Sequence, residues 1–445
     1  MDKTLTLVCL LALMLSACSK ENKLPSPNII LIMADDLGYG DIPSYGNKHI
    51  QTPNLDYLAS EGVRFTDFHS NGSVCSPTRA ALMTGKYQQR TGVEGVITAK
   101  SHREVGMSLD EISMADEFKK HGYQTGMFGK WHLGYAPEYN PVFQGFNEFV
   151  GFVSGNVDFQ AHIDQEGYLD WWKGDRIANE SGYTTDLITD YGVDFIQNNN
   201  PQKTAKPFFL YLPHEAPHYP YQNRKSKALR EVGTAASLPV DKDSIPGLYK
   251  EMIEIMDEGI GRIIQSLKET GQYENTLIVF CSDNGASRNG SNGVLRGFKA
   301  GVYEGGSRVP AIISFPGKIP KGWLSEEVVL SMDYLPTFLD FIGKEASGDK
   351  IDGISIKDHL MHKSALPERD LFYAFKHQSF IRSGNYKLIR KKNEAGDIYE
   401  LYDLGKDLQE KNNLVAVHPD IVKVQEEKLK KWEEEVHHGV TRISQ

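Results

Sequence analysis

The sequence predicts an α/β fold: a large, mostly parallel β-sheet lies between helices, and a smaller C-terminal subdomain holds an antiparallel sheet and one helix. The main evidence is a set of continuous apolar runs, typical of strands buried on both faces. Three such runs cover residues 28–34, 208–212 and 276–281, and each ends in polar side chains. Segments with helical apolar spacing stand between them. The 445 residues suffice for one large domain and a smaller one.

The predicted elements of the large domain alternate as such a sheet requires. Residues 52–61 carry Leu55 and Leu58 at helical spacing, and the helix over 77–84 has Ser76 as its cap, Pro77 at its first position and Gly85 as its end. In chain order, the expected elements are strand 28–34, helix 52–61, helix 77–84, helix 107–121, strand 124–128, strand 208–212, helix 250–270, strand 276–281, strand 310–315 and helix 333–342.

The pattern changes beyond residue 345. Short strands are expected over 371–375, 379–382, 386–390 and 399–403, joined by tight turns. A charged helix over 419–435 follows, with inward positions at Ile421, Val422, Val424 and Leu429. We therefore predict a large domain over 28–345 and a C-terminal subdomain over 346–445.

The N-terminus resembles a bacterial lipoprotein signal. Lys3 precedes an apolar stretch over 5–15 that is short for a membrane span, and Leu15-Ser16-Ala17-Cys18 resembles a lipobox. We expect a signal peptide over 1–18 and a tether over 19–27; a secretory peptide cut near Ala17 is the alternative. The expected location is the bacterial cell envelope, with the lipoprotein facing the periplasm or the outer-membrane surface. The N-terminal lipid is then the sole membrane contact, and the net charge of −10 gives no basic surface for nucleic acid.

Acidic and amide side chains follow two of the predicted strands. Asp35 and Asp36 come after the first strand, and Asp283 and Asn284 come after strand 276–281. Ligands of parallel sheets bind beyond the carboxyl ends of the strands, so these groups are expected to meet. Three carboxylates and an amide oxygen suit Ca²⁺, with Mg²⁺ as a second choice, better than zinc. For a lone acidic pair, capping of the next helix is the simpler alternative.

Cys75 directly precedes a predicted helix N-terminus, where unpaired amide groups favour an anion. Arg79 projects back from the first turn, so a nucleophilic or modifiable side chain would stand beside an anion site. A buried cysteine before an ordinary helix is the alternative. A cysteine-dependent phosphatase needs five residues between Cys and Arg, whereas three separate Cys75 from Arg79.

The segment Cys75-x-Pro77-x-Arg79, followed by residues 80–85, resembles the signature of the formylglycine-dependent sulfatases. The resemblance extends from residue 28 to about 432 and implies the alkaline-phosphatase-like fold. Residues 290–310 are most similar to the branch with arylsulfatase A and N-acetylgalactosamine-6-sulfatase. Further motifs of the family are matched by residues 35–41, 129–134, 282–285, Lys299 with 303–310, and 400–404.

The resemblance implies a role for each matched residue. A maturation enzyme would oxidise Cys75 to formylglycine, whose hydrated aldehyde attacks sulfur. The implied metal ligands are Asp35, Asp36, Asp283, Asn284 and the modified Cys75. The implied cations around the sulfate are Arg79, Lys130 and Lys299. Asp283 would help to deprotonate the nucleophile, His132 would assist release of sulfate, and His218 would protonate the leaving oxygen with Lys299.

Substrate contacts are expected in a loop containing Gly155-x-x-Asp158-Phe159-x-x-His162, which resembles a loop of several carbohydrate sulfatases. Asp158 and His162 would then touch the sugar, and His214 would either touch it or brace His218. The expected function is exo-acting hydrolysis of a sulfate ester on a carbohydrate, with galactose or N-acetylgalactosamine of mucin or glycosaminoglycan as the sugar. The alternatives are a phosphomonoester or phosphonate hydrolase of the same superfold, and a lipoprotein that binds sulfated glycan without cleaving it.

Overall fold

The structure, a computed structural model, describes residues 26–204, 206–348 and 350–437. The predicted signal peptide over 1–18 and most of the tether over 19–27 lie outside these residues, so both stay predictions. Within the described ranges, no helix combines the length and the apolar character needed to cross a bilayer.

The large domain is built on one mixed sheet with a parallel centre. Its strands are, in chain order, β1 (Asn28–Ala34), β2 (Val63–Phe65), β3 (Phe68–His69), β4 (Gln124–Lys130), β5 (Glu148–Phe152), β6 (Trp172–Lys173), β7 (Arg176–Ile177), β8 (Phe208–Pro213), β9 (Thr276–Ser282), β10 (Ala311–Ser314), β11 (Trp323–Ser325) and β12 (Val329–Leu330). Apart from β3 and β12, which pair with each other, they form one sheet in the order β11-β2-β10-β9-β1-β8-β4-β5-β6-β7. The predicted parallel sheet is confirmed at its centre, where β1 pairs in parallel with β8 and β9.

Helices cover both faces of the sheet. They are α1 (Pro53–Glu61), α2 (Cys75–Thr84), α3 (Met114–Lys120), α4 (Thr184–Asn198), α5 (Pro201–Thr204), α6 (Ile245–Glu269), α7 (Glu304–Ser307), α8 (Tyr334–Phe341) and α9 (Lys357–His362). Along β1, Leu31 belongs to the core under α2, α3 and α8, whereas Ile32 belongs to the core under α1, α4 and α6. This alternation is why the strand sequence is apolar at every position.

The C-terminal subdomain is the predicted antiparallel sheet with one helix. Its elements are β13 (Asp370–Phe375), β14 (Gln378–Ser383), β15 (Tyr386–Lys391), β16 (Ile398–Asp403) and α10 (Pro419–Val436). Leu429 and Trp432 of α10 pack on the sheet, and Val74 and Val302 of the large domain join the same core. The boundary after residue 345 stays a prediction, but Leu360 of α9 still belongs to the core of the large sheet.

Three local predictions are corrected. Helix α2 begins at Cys75 with Val74 as its cap, because the Ser76 hydroxyl instead accepts the Ile97 N–H. The helix predicted over 107–121 is confined to Met114–Lys120, because Ser113 forms a capping box with Asp116. Val424, predicted to face inward, is 54% exposed.

Candidate active site

The carboxyl ends of the central strands bring the predicted site together. Ala34 pairs with Ser282 across β1 and β9, so the next residues, Asp35 and Asp283, become neighbours. Lys130 ends β4 at the same edge. All three side chains are completely buried. Burial of a charged group costs free energy unless the group is paired, and here the three pair with each other and with Arg79.

Cys75 is the first residue of α2 and lies against this edge. Its Sγ is 3.4 Å from Oδ1 of Asp35 and 3.3 Å from Nζ of Lys299. Burial raises the pKa of the Cys75 thiol to about 12, with nearby Asp283 and Asp35 adding to the effect. The unmodified thiol is therefore protonated at neutral pH, which makes it a poor nucleophile by itself.

The acidic cluster has the donor set of a hard-cation site. One ligand atom from each of Asp35, Asp36, Cys75 and His218 lies within 4.8 Å of the others. Asn284 donates from Nδ2 to Asp36 at 2.7 Å, while its Oδ1 is buried without a hydrogen-bond partner among the described residues. An unsatisfied buried oxygen beside carboxylates fits a Ca²⁺ or Mg²⁺ ligand.

Three cationic side chains surround these carboxylates. Arg79 donates to Asp283 at 2.8 Å, Lys130 lies 2.5 Å from Asp35, and Lys299 lies 2.6 Å from Asp36. Burial would raise the pKa of Asp35, but the adjacent cations, Lys130 foremost, hold it below its ordinary value. Burial would likewise lower the pKa of Lys299, but the Asp36 carboxylate outweighs it, so that pKa lies well above its usual value. Burial would also raise the pKa of Asp36, but Lys299 holds it below its ordinary value. At neutral pH Asp35 and Asp36 are therefore ionised and Lys299 is protonated.

Two histidines face the same space in defined orientations. Nε2 of His132 lies 2.9 Å from the Ile97 carbonyl oxygen and therefore carries the hydrogen, which leaves Nδ1 as an acceptor with no partner in the described part of the chain. Burial, together with Lys130 and Arg79, lowers the pKa of His132 far below its usual value. Nδ1 of His218 lies 2.6 Å from the Tyr219 carbonyl oxygen, and its Nε2 is 3.7 Å from Asp36. Burial also lowers the pKa of His218.

The backbone is held in a rarely adopted conformation at two of these positions. Asp36 has a φ of +65° and His132 a φ of +62°. Non-glycine residues adopt this left-handed region at a cost, and such residues cluster at functional sites. Both residues follow a strand end, so the unusual backbone turns their side chains toward the common site.

A cavity of about 360 Å³ opens over Cys75, Lys299 and the two histidines. Several residues of its wall were not found from the sequence: Val96, Thr98, Tyr135, Asn156, Asp164, Gln165, Tyr219 and Ser287. Gln165 donates to the Tyr219 hydroxyl at 2.6 Å, and the Tyr219 ring stacks on His218 with centroids 4.4 Å apart. Tyr219 directly follows His218 in the chain, and this position is the one signal that points to it in the sequence.

The three predicted substrate contacts do not reach this cavity. Asp158 is completely buried and accepts the N–H groups of Leu229 and Arg230. His162 is also buried and stacks on Trp171, a core residue. Burial lowers the pKa of His214 to about 4, and its side chain lies outside the cavity wall. The geometry therefore assigns Asp158 and His162 to the interior of the loop whose surface lines the cavity.

Known proteins with similar sequences are sulfatases. The sulfatase family profile matches residues 27–344, and the profile "N-sulphoglucosamine sulphohydrolase, C-terminal" matches residues 298–437. Human arylsulfatase A is 33% identical over 401 residues, covering 81% of this chain and 74% of the relative. N-acetylgalactosamine-6-sulfatase of Mus musculus is 33% identical over 375 residues, covering 78% of this chain and 68% of the relative.

Solved structures with the same fold agree with these relatives. Ps i-CgsB superposes with a TM-score of 0.83 at 28% identity, covering 94% of this chain and 95% of the other. A protein solved in complex with its substrate D-glucosamine-2-N,6-O-disulfate superposes with a TM-score of 0.72 at 25% identity, covering 93% and 99%. Since the family profile spans more than half of the chain and the relatives reach 33% identity, this chain belongs to the sulfatase family and is a sulfuric ester hydrolase.

Proposed function

We propose that the protein is an exo-acting carbohydrate sulfatase that uses a formylglycine made from Cys75 and a bound Ca²⁺, and that it removes sulfate from a terminal galactose or N-acetylgalactosamine. The observation that carries the proposal is the position of Cys75 between Asp35 and Lys299, on the wall of a cavity. A cavity of about 360 Å³ is at the small end of ligand pockets and suits one terminal sugar. The N-acetylgalactosamine-6-sulfatase relatives support the choice of sugar.

The residues at the site fit the two groups that the family uses, a divalent cation and a formylglycine. Asp35, Asp36, Asp283 and Asn284 would hold the cation, and the oxidised Cys75 side chain would complete the set. When present, the two groups supply a nucleophilic hydroxyl and a positive charge that offsets the sulfate charge.

The remaining side chains bind charge and move protons. Arg79 and Lys130 fix the Asp283 and Asp35 carboxylates, while Lys299 faces the cavity and carries a proton. The Nδ1 of His132 is an acceptor without a partner among the described residues, and the lowered pKa of the ring keeps it unprotonated, so that it can accept a proton. Lys299, which is protonated, stands on the cavity wall together with His218, and this pair is suited to deliver the Lys299 proton to the sugar oxygen as it leaves.

The proposal is tested by two measurements on the mature protein produced in a host that makes formylglycine. Mass spectrometry of the peptide spanning Cys75 should find the aldehyde in place of the thiol. Sulfate release should be measured on singly sulfated galactose, N-acetylgalactosamine and N-acetylglucosamine, with 4-nitrophenyl sulfate and 4-nitrophenyl phosphate beside them. We expect release from the first two sugars and faster turnover of the aryl sulfate than of the phosphate.

Three results would overturn parts of this proposal. A Cys75→Ala protein that still releases sulfate excludes the formylglycine route. Release from N-acetylglucosamine alone excludes the assigned sugar but keeps the sulfatase. A wild type carrying the aldehyde that binds these sugars and never cleaves them is a glycan-binding protein.

A further inference from the structure

Lys299 stands on a short closed loop, residues 296–305, which we call the Lys299 loop. The Gly305 N–H donates to the Arg296 carbonyl oxygen at 2.7 Å and closes it. A side chain at position 305 is excluded, because a Cβ there would lie 2.5 Å from the Gly297 carbonyl oxygen. The ends of the loop therefore meet, and Lys299 lies between them.

Glu410 of the C-terminal subdomain holds both ends of the Lys299 loop. Its Oε2 accepts the Glu304 N–H at 2.7 Å, and its backbone carbonyl oxygen accepts from Nη1 of Arg296 at 2.5 Å. Glu410 is completely buried and has a φ of +52°. One residue, 106 positions after Glu304 and 114 after Arg296, thus fixes the loop twice.

Lys387 of β15 completes this attachment. Its Nζ lies 2.9 Å from Oε1 of Glu304 and 2.9 Å from Oε1 of Glu410, and none of these side chains has exposed surface. Buried ion pairs are a weak source of stability, because desolvation offsets most of the attraction. The arrangement is better explained by the geometry that it imposes on the loop.

A second cation site does not explain these charges. Ligand atoms of Asp67, His69 and Glu304 lie within 4.8 Å of one another in the same region. Both oxygens of Asp67 already accept from Arg382 at 2.8 Å, and Arg308 lies 3.2 Å from Glu304. Arginine side chains therefore already neutralise the carboxylates of Asp67 and Glu304, so a bound cation is not needed to explain them.

We propose that Lys387 and Glu410 are positioning residues for Lys299, so that the C-terminal subdomain sets how Lys299 meets the leaving oxygen of the substrate. The inference rests on the proposed function, in which Lys299 acts at that oxygen. The large domain holds the middle of the loop through backbone contacts, from Lys299 N–H to Ala286 and from Ala300 N–H to Ser73, at 2.9 and 2.8 Å. Its side chains add the Lys299–Asp36 ion pair and a hydrogen bond from Asn292 to the Gly297 carbonyl oxygen at 2.9 Å. The subdomain adds the contact that joins both ends, through Glu410 to the Glu304 N–H and to Arg296, with Lys387 on the Glu304 carboxylate.

The test compares two double variants. Lys387→Met with Glu410→Gln removes one charge of each sign and leaves Glu304 paired with Arg308. The matched control is Arg390→Met with Glu433→Gln, which removes an ion pair between the same strand and α10 without touching the Lys299 loop. Melting temperature and formylglycine content are measured for each protein, and rates are expressed per formylglycine.

The readout is the ratio of kcat/KM for a sulfated sugar to kcat/KM for 4-nitrophenyl sulfate. Nitrophenolate leaves without a proton, whereas a sugar alkoxide needs one, so misplacing Lys299 should lower the ratio at least about tenfold. The control should keep the wild-type ratio. If the double variant does not fold, Glu410→Met, which removes the acceptor of the Glu304 N–H and leaves Lys387 paired with Glu304, is expected to lower the ratio in the same direction.

An unchanged ratio, or an equal loss for both substrates, overturns the positioning role. Failure of the proposed function is a separate result, because the wild type would then cleave neither ester.

Discussion

Arg79 links two strand ends through one guanidinium. Nη2 donates to the Asp283 carboxylate at 2.8 Å, and Nη1 donates to the Lys130 carbonyl oxygen at 3.0 Å. Asp283 follows β9 and Lys130 ends β4, so Arg79 ties α2 to both. A planar guanidinium can serve two acceptors in fixed directions, which a lysine ammonium on a flexible stem does not. Arg79 therefore orients the Asp283 carboxylate, a cation ligand in the proposed function, in addition to contributing charge.

Replacing Arg79 by lysine should weaken cation binding while keeping the charge. Loss of groups that orient metal ligands typically costs about 10- to 100-fold in affinity or activity, and we expect Arg79→Lys to fall in this range for both. Calcium titration of the chelated protein and sulfate release measure the two effects. The control is Arg262→Lys, which changes a half-exposed ion pair with Asp190. Unchanged calcium affinity would rule out the orienting role.

Chelation should destabilise the protein through the buried oxygen of Asn284. A cation at 100 times its Kd stabilises the folded state by about 2.7 kcal/mol, so removing it should lower the melting temperature by several degrees. In an Asn284→Leu protein the shift should shrink strongly, because the Oδ1 ligand is lost. Differential scanning calorimetry with EGTA, and after adding back Ca²⁺ or Mg²⁺, measures the response. A wild type that melts identically under all these conditions has no such site.

His132 should contribute to kcat rather than to binding. Its Nε2 is engaged by Ile97, so the unpartnered Nδ1 is the available base. We expect His132→Gln to lower kcat by about 10² to 10⁴, with little change in KM, because removal of a general base has this magnitude. Steady-state rates on 4-nitrophenyl sulfate provide the measurement, with surface His362→Gln as control. A loss confined to KM would contradict the base assignment.

The sequence predicted the polar residues at the strand ends because each of them directly follows its strand in the chain. A buried strand followed by Asp35-Asp36, and another followed by Asp283-Asn284, required only the rule that parallel strands end at one edge. The beginning of α2 was missed for a physical reason. Ser76 looked like a cap, but its hydroxyl accepts from Ile97 in a loop that periodicity does not predict.

The parts of the site that the sequence did not predict depend on contacts between residues far apart in the chain. The wall residue Asn156 is placed by Arg230, 74 positions later, and the Lys299 loop by Glu410, more than 100 positions later. Asp158 was expected to touch the sugar, because a conspicuous carboxylate in a recognised motif suggests contact. In the structure its oxygens accept backbone N–H groups at 2.6 to 3.1 Å, so the motif builds the loop.

Arg230 should control substrate affinity without touching substrate. Its guanidinium donates to Oδ1 of Asn156 at 2.6 Å and to the Ile163 carbonyl oxygen at 3.0 Å, and thus holds the loop that lines the cavity. Hydrogen bonds to charged groups contribute about 1.5–3 kcal/mol, and about 1.4 kcal/mol is tenfold in affinity. We therefore expect Arg230→Met to raise KM for a sulfated sugar at least about tenfold while leaving kcat for 4-nitrophenyl sulfate within about twofold. The matched control, Arg224→Met, removes an exposed arginine paired with Asp186 and Glu258 and should change neither value. Equal losses on both substrates would mean that Arg230 supports the fold alone.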